Sequence, residues 1–149
     1  MNIHDFQIVL QEVPGEISLC FSISGCSIQC KGCHSTFSWK KDNGSILTKK
    51  YFLEQLKKYK GIATCVLFMG GEWHEKELIE NLELAKKIGY KTCLYTGQEK
   101  VSIQLKKQLT WLKTGKWKEH LGGLDSKNTN QKFIEIKTNK KLNHLFFKN

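Results

Sequence analysis

The sequence predicts an α/β fold, read as a partial barrel or another open sheet of mostly parallel strands. Three observations carry that reading. Residues 16–24 alternate cleanly between apolar and polar, the period of a strand. Residues 63–69 form an apolar run, as expected of a parallel strand buried on both faces. A helical repeat follows each strand, and strands that alternate with helices build parallel sheets. The chain has 149 residues and one proline. That length suits one domain, 1–149, with a real core, but falls well short of the roughly 250 residues of a complete TIM barrel.

Residues 1–15 alternate only weakly and end in Val13-Pro14-Gly15, a turn signal. In the strand that follows, Ile17, Leu19, Phe21 and Ile23 share one face; Ser18, Cys20, Ser22 and Ser24 share the other. The chain then enters Ser24-Gly25-Cys26-Ser27-Ile28-Gln29-Cys30-Lys31-Gly32-Cys33-His34, a short polar loop at the C-terminal end of that strand. This is the edge at which α/β folds place their chemistry.

Cys26, Cys30 and Cys33 have Cx3Cx2C spacing, and Gly25 and Gly32 let the backbone turn tightly around a metal centre. Three cysteines cannot form two disulfides. Two metal readings compete, and ligand number separates them. A structural zinc takes four protein ligands; the nearby fourth candidate, His34, is adjacent to Cys33 and poorly placed to share a tetrahedral metal with it. An iron–sulfur cube also usually takes four cysteines, so three would leave one iron open to an exogenous ligand. The spacing favours the open-site cluster. Phe37 and Trp39 follow as candidates to shield it or simply to pack the loop.

After a polar turn at residues 40–44, Thr48 reads as an N-cap. Phe52, Leu56 and Tyr59 lie at helical spacing, and Gly61 is the stop. The strand at 63–69 ends in Gly70-Gly71-Glu72, where two glycines free the backbone for close approach to a ligand and a carboxylate can pair with an ammonium group. Residues 75–88 repeat the helical pattern through Leu78, Leu82, Ala85 and Ile88, stopped by Gly89. Residues 91–95 form a third strand leading into Thr96-Gly97, which makes Tyr95 and Thr96 candidate cofactor contacts. From Val101 come a short amphipathic helix, one strand at 111–117, a glycine turn at 121–126, and a polar loop entering another strand near Phe133. Cys20, Cys65 and Cys93 fall within strands, where a thiol behaves as a small hydrophobe.

The formal charge is +10, from 24 basic and 14 acidic residues, and every basic residue is lysine. Without arginine the bidentate contacts typical of nucleic-acid recognition are missing, and the lysines are scattered. The expected role is a solvated surface, some of it facing an acidic partner protein, with no nucleic acid. The absence of a signal peptide or long apolar run leads us to expect a cytoplasmic protein with no membrane contact.

The cysteine loop resembles the signature of the radical S-adenosylmethionine (SAM) enzymes. Lys31-Gly32-Cys33-His34 is similar to the small activating enzymes of the anaerobic ribonucleotide reductases; many other members have an aromatic residue where this chain has Gly32. Gly70-Gly71-Glu72 resembles the superfamily's SAM-binding segment, and Tyr95-Thr96-Gly97 a segment of related activases. Lys113-Thr114-Gly115, Leu121-Gly122-Gly123-Leu124-Asp125-Ser126 and Thr129-Asn130-Gln131-Lys132 resemble the C-terminal segment of the reductase activases. Lys116-Trp117 and Lys132 depart from it, where the family often has Pro-Tyr and Arg. The resemblance spans about Val13 to Phe133.

The resemblance implies a single-domain, incomplete TIM-type barrel of the radical SAM kind. It implies a 4Fe-4S cluster on Cys26, Cys30 and Cys33, with SAM on its open iron and on Gly32, Cys33, His34, Gly70, Gly71, Glu72, Tyr95 and Thr96. An external donor, a flavodoxin or ferredoxin, reduces the cluster. Cleavage of SAM gives a 5'-deoxyadenosyl radical, which takes a hydrogen from a glycine of the reductase large subunit. No residue is needed as a general base. The alternatives are an activase for another glycyl radical enzyme, a small-molecule radical SAM enzyme, or, more distantly, a non-enzymatic zinc or iron–sulfur binding module.

Overall fold

A computed structural model describes residues 1–25 and 44–147. Cys26, Cys30, Gly32, Cys33, His34, Phe37 and Trp39 lie outside the described residues.

Among the described residues eight strands form one sheet: β1 (Asn2–Val9), β2 (Ser18–Ile23), β3 (Ser45–Ile46), β4 (Cys65–Met69), β5 (Lys91–Tyr95), β6 (Trp111–Thr114), β7 (Lys132–Glu135) and β8 (Lys140–Lys141). Their spatial order is β3-β1-β2-β4-β5-β6-β7-β8. The central four, β2, β4, β5 and β6, run parallel; β1 and β3 are added antiparallel on one side, β7 and β8 on the other. Among the described residues the edge strands β3 and β8 are not paired to each other, so the sheet is a linear array.

Among the described residues three α-helices connect the parallel strands: α1 (Lys49–Lys58), α2 (Glu75–Ile88) and α3 (Ile103–Lys106). Each starts or stops for a local reason. The Thr48 side chain accepts the Tyr51 amide and caps α1; the Ser102 hydroxyl accepts the Leu105 amide and caps α3. Gly89 ends α2 in the left-handed region, at φ 110°, as a glycine stop does.

All three helices pack on the same face of the sheet. Phe52 and Leu56 of α1, Leu78, Leu82 and Ala85 of α2, and Leu105 of α3 join Leu19, Phe21, Ile23, Val66, Phe68, Leu94 and Leu112 in one buried cluster. Its centre is aromatic: the Phe21 ring lies 5.0 Å from Phe52 and 5.5 Å from Phe68. Each fully buried phenylalanine contributes about 1.5–3 kcal/mol. The alternate residues, Cys20, Cys65, Leu67 and Cys93, face the other way and pack with Val13, Leu124 and Phe133. Among the described residues no α-helix covers that second face; the β1–β2 turn, the segment around Leu124 and the C-terminal residues, including the 3-10 turn Asn143–Phe146, do.

β1 departs from the weak alternation of the first residues by forming a full strand. It pairs with β2 from Ile3–Ile23 to Val9–Ser18 and takes β3 only at Asn2 and Ile3. The predicted strand at 111–117 ends at Thr114, because Gly115 turns the chain at φ 96°. The start of β1 also holds both ends of the segment that carries the cysteine motif. The Ser24 amide donates to the Asn2 carbonyl (2.9 Å), and Ser45 sits opposite Ile3.

Candidate functional site

Because β2, β4, β5 and β6 are parallel, their C-terminal ends meet at one edge of the sheet. The residues there are Ser24-Gly25, from which the cysteine motif departs, then Gly70-Gly71-Glu72, Tyr95-Thr96 and Thr114-Gly115. Four segments far apart in sequence are thus brought side by side by strand register alone.

Gly70 and Gly71 both adopt left-handed backbone, at φ 81° and 109°. A Cβ on Gly70 would lie 2.6 Å from the Trp73 ring, and one on Gly71 would press on Ile23 at 3.3 Å. The double glycine therefore brings the chain tightly over the end of β2. The Gly70 amide bonds the Tyr95 carbonyl (2.9 Å), which locks the β4 and β5 ends together.

Glu72 begins a one-turn 3-10 segment, Glu72–His74. Its Oε1 accepts the Thr96 hydroxyl at 2.7 Å. Its Oε2 is buried without a hydrogen-bond partner. Burial pushes the Glu72 carboxyl above the ordinary carboxylate range; the Thr96 hydroxyl, a backbone hydrogen bond and the Lys113 ammonium pull against that shift. A buried carboxylate oxygen with no donor is a costly arrangement, and a cationic donor would complete it.

Tyr95 and Thr96 have different surroundings. Thr96 is buried, donates to Glu72 and accepts the Gln98 amide at 3.0 Å. Tyr95 points to the second face and spends its hydroxyl on the Glu12 carbonyl. Burial is the main cause that raises its phenol far above the ordinary range, with its neighbours Cys93 and Glu12 adding to it. Tyr95 therefore presents its ring rather than a titrating hydroxyl. Of the residues singled out from sequence, the structure brings Gly70, Gly71, Glu72, Tyr95 and Thr96 to one edge.

Two further residues belong here. Lys113, on the second face beside Tyr95, donates to the Gly115 carbonyl at 2.9 Å and the Thr96 carbonyl at 3.4 Å, with its ammonium 5.9 Å from the Tyr95 ring. Its position in the β6 alternation, two residues from Trp111, was the available signal. Trp73 donates its indole N–H to the Ser24 carbonyl at 3.1 Å. An indole just after Gly-Gly-Glu needs a partner for its N–H when partly buried, but sequence does not say where that partner is.

A cleft of about 830 Å³ opens on the second face, lined among others by Glu12, Tyr95, Lys113, Trp117, Gln131 and Phe146. That size falls within the range of ligand pockets. The glycine turn and polar loop wall it. The Thr129 hydroxyl bonds the Gly122 carbonyl (3.0 Å), and Asn143 pins the segment by accepting the Phe133 amide (2.8 Å) and donating to the Gln131 carbonyl (2.9 Å).

Cys20, Cys65 and Cys93 line the same face and are buried. Burial raises all three thiols, Cys20 and Cys65 to about 12 and Cys93 well above its ordinary value. At neutral pH they are therefore neutral, buried thiols. Among the described residues, no three His, Cys, Asp or Glu side chains are placed to hold a metal ion. No helix among them is long and apolar enough to cross a membrane.

The glycine-rich turns at the parallel edge stand where the chain leaves β2 for the three-cysteine motif, and it is the family comparison that makes this an iron–sulfur protein. A family model described as a 4Fe-4S single cluster domain matches residues 14–142, and the chain belongs to that family. No curated protein and no solved structure matches it.

Proposed function

We propose that the chain is a radical SAM enzyme that activates an anaerobic ribonucleotide reductase by generating a glycyl radical on its large subunit. The observation that carries this reading is the meeting, at one sheet edge, of the strand end that leads into Cys26, Cys30 and Cys33 with Gly70-Gly71-Glu72 and Thr96. The Cx3Cx2C spacing and the resemblance to the radical SAM signature support Cys26, Cys30 and Cys33 as the ligands of the 4Fe-4S cluster. When bound, that cluster supplies the single electron that splits a carbon–sulfur bond of SAM.

The chain's own residues bind and orient. Glu72 receives the SAM ammonium on Oε2, the oxygen that lacks a donor, while the Thr96 hydroxyl fixes Oε1 and so sets the plane of the carboxylate. Gly70 and Gly71 keep side chains out of the approach. Gly32, Cys33 and His34 complete the SAM site from the loop. Tyr95 supplies an apolar wall, and Lys113 braces the β5 and β6 ends. No proton has to be taken by a side chain in this reaction.

We read the linear sheet as an incomplete TIM-type barrel, supported by helices confined to one face. A site open along one side suits a protein loop better than a small molecule, and the cleft beside Tyr95 is the opening through which the reductase's glycine would enter. The lysine-rich surface suits an acidic electron donor such as a flavodoxin or ferredoxin.

The test is anaerobic. The cluster is reconstituted and reduced, SAM is added, and 5'-deoxyadenosine is measured beside a Cys30→Ala control; the reductase is then added and its glycyl radical sought by electron paramagnetic resonance. Product from the wild type alone, followed by a radical on the reductase, is the expected result. A fully loaded, reducible cluster that yields no 5'-deoxyadenosine overturns the enzyme reading and leaves an iron–sulfur binding module.

A further inference from the structure

We infer that Trp73 is a positioning residue, a latch that sets the distance between the chain leaving β2 and the Glu72 carboxylate. The inference rests on the proposed SAM site.

The backbone of Ser24 is held through both of its polar groups, which lie in successive peptide units. Its N–H donates to the Asn2 carbonyl at 2.9 Å, and its carbonyl accepts the Trp73 indole at 3.1 Å. Ser24 lies two residues before Cys26 in sequence, and Trp73 is adjacent to Glu72. One side-chain hydrogen bond therefore links the root of the cysteine motif to the carboxylate, across 49 positions of sequence.

The latch is held at its own end too. Gly70 adopts φ 81°, and its lack of a side chain leaves room for the Trp73 ring, which would otherwise stand 2.6 Å from a Cβ. The same ring packs against the helix-side core. The His74 amide bonds the Gly71 carbonyl at 2.9 Å and closes the turn that carries Trp73. Ring packing, turn and indole hydrogen bond together hold the side chain against Ser24. Positioning of this kind matters because reacting groups lose much of their advantage when displaced by about 1 Å.

The test compares wild type, Trp73→Phe, and a form in which the indole N–H is replaced isosterically by sulfur (benzothienylalanine). All three are reconstituted to equal iron and sulfide. Amide hydrogen exchange at Ser24, and the electron paramagnetic resonance of the reduced cluster titrated with SAM, are recorded. The latch predicts that both altered proteins exchange the Ser24 amide about fivefold or more faster and need about fivefold more SAM to shift the cluster signal, as expected for one lost hydrogen bond. Their signals without SAM should match wild type. The isostere keeps the ring, so it separates the hydrogen bond from packing. Unchanged Ser24 exchange in the isostere overturns the latch. If the wild-type cluster ignores SAM, the reading of the reaction falls, while the exchange measurement still decides the latch.

Discussion

The Thr96 hydroxyl donates to Glu72 Oε1 across 2.7 Å, joining the ends of two neighbouring parallel strands through side chains 24 positions apart. Glu72 is thereby held with one oxygen occupied and the other buried without a donor. Several measurable properties depend on this pair.

Replacing Glu72 by Gln should raise stability at neutral pH and weaken SAM binding. Burial holds the folded-state carboxyl above its ordinary value of 4.5, so the folded protein binds the proton more tightly than the unfolded chain. The resulting stability is complete below 4.5 and is lost as pH rises through the folded value. Thermal melts should show Glu72→Gln gaining on wild type at neutral pH and drawing level in acid. Calorimetry should show SAM affinity falling roughly tenfold or more, the value of a charge-assisted bond.

Thr96→Val removes a donor to Glu72 and an acceptor for the Gln98 amide without changing shape much. Urea unfolding at neutral pH should show a loss of about 1–3 kcal/mol. The loss should shrink in acid, where the Glu72 carboxyl keeps its proton.

Gly70→Ala and Gly15→Ala form a matched pair. Their φ angles are 81° and 79°, but a Cβ at Gly70 meets the Trp73 ring at 2.6 Å whereas one at Gly15 meets nothing within 4 Å. Both should lose about 1–3 kcal/mol from backbone strain. Only Gly70→Ala should lose more, and only it should speed exchange of the Ser24 amide.

The buried thiols predict an alkaline weakness. Cys20 and Cys65 stay protonated in the folded state up to about 12, against 9.0 for the ordinary thiol. Their contribution is complete below 9.0 and is lost between 9.0 and about 12, by up to about 1.4 kcal/mol per pH unit for each thiol. Cys65→Ala should flatten the fall of melting temperature over that window. In the native protein Cys20, Cys65 and Cys93 should resist iodoacetamide.

Much of the central βα pattern was legible because it is written locally. The Thr48 cap, the glycine stop at Gly89, and the runs of α2 and β5 all stand where periodicity and punctuation place them. The first strand was not, because His4, Asp5 and Gln7 interrupt its alternation; tertiary pairing with β2 overrides that weak pattern. At the site, Gly70-Gly71-Glu72 and Tyr95-Thr96 could be singled out from their places at strand ends. That Glu72 takes the Thr96 hydroxyl, that Tyr95 turns away to Glu12, and that Trp73 reaches Ser24 depend on register between distant segments. No local window contains such information.

The start of β1 has one more consequence, through its hold on Ser24 and Ser45. A Cβ on Gly44 would lie 1.8 Å from the Ile3 carbonyl oxygen, so the chain re-enters the sheet hard against that same strand. Both ends of the segment at 26–43 are thus tied to Asn2 and Ile3. Strand pairing in the scaffold meets the entropic cost of bringing those ends together. The first two residues of β1 therefore set the span that this segment has to bridge.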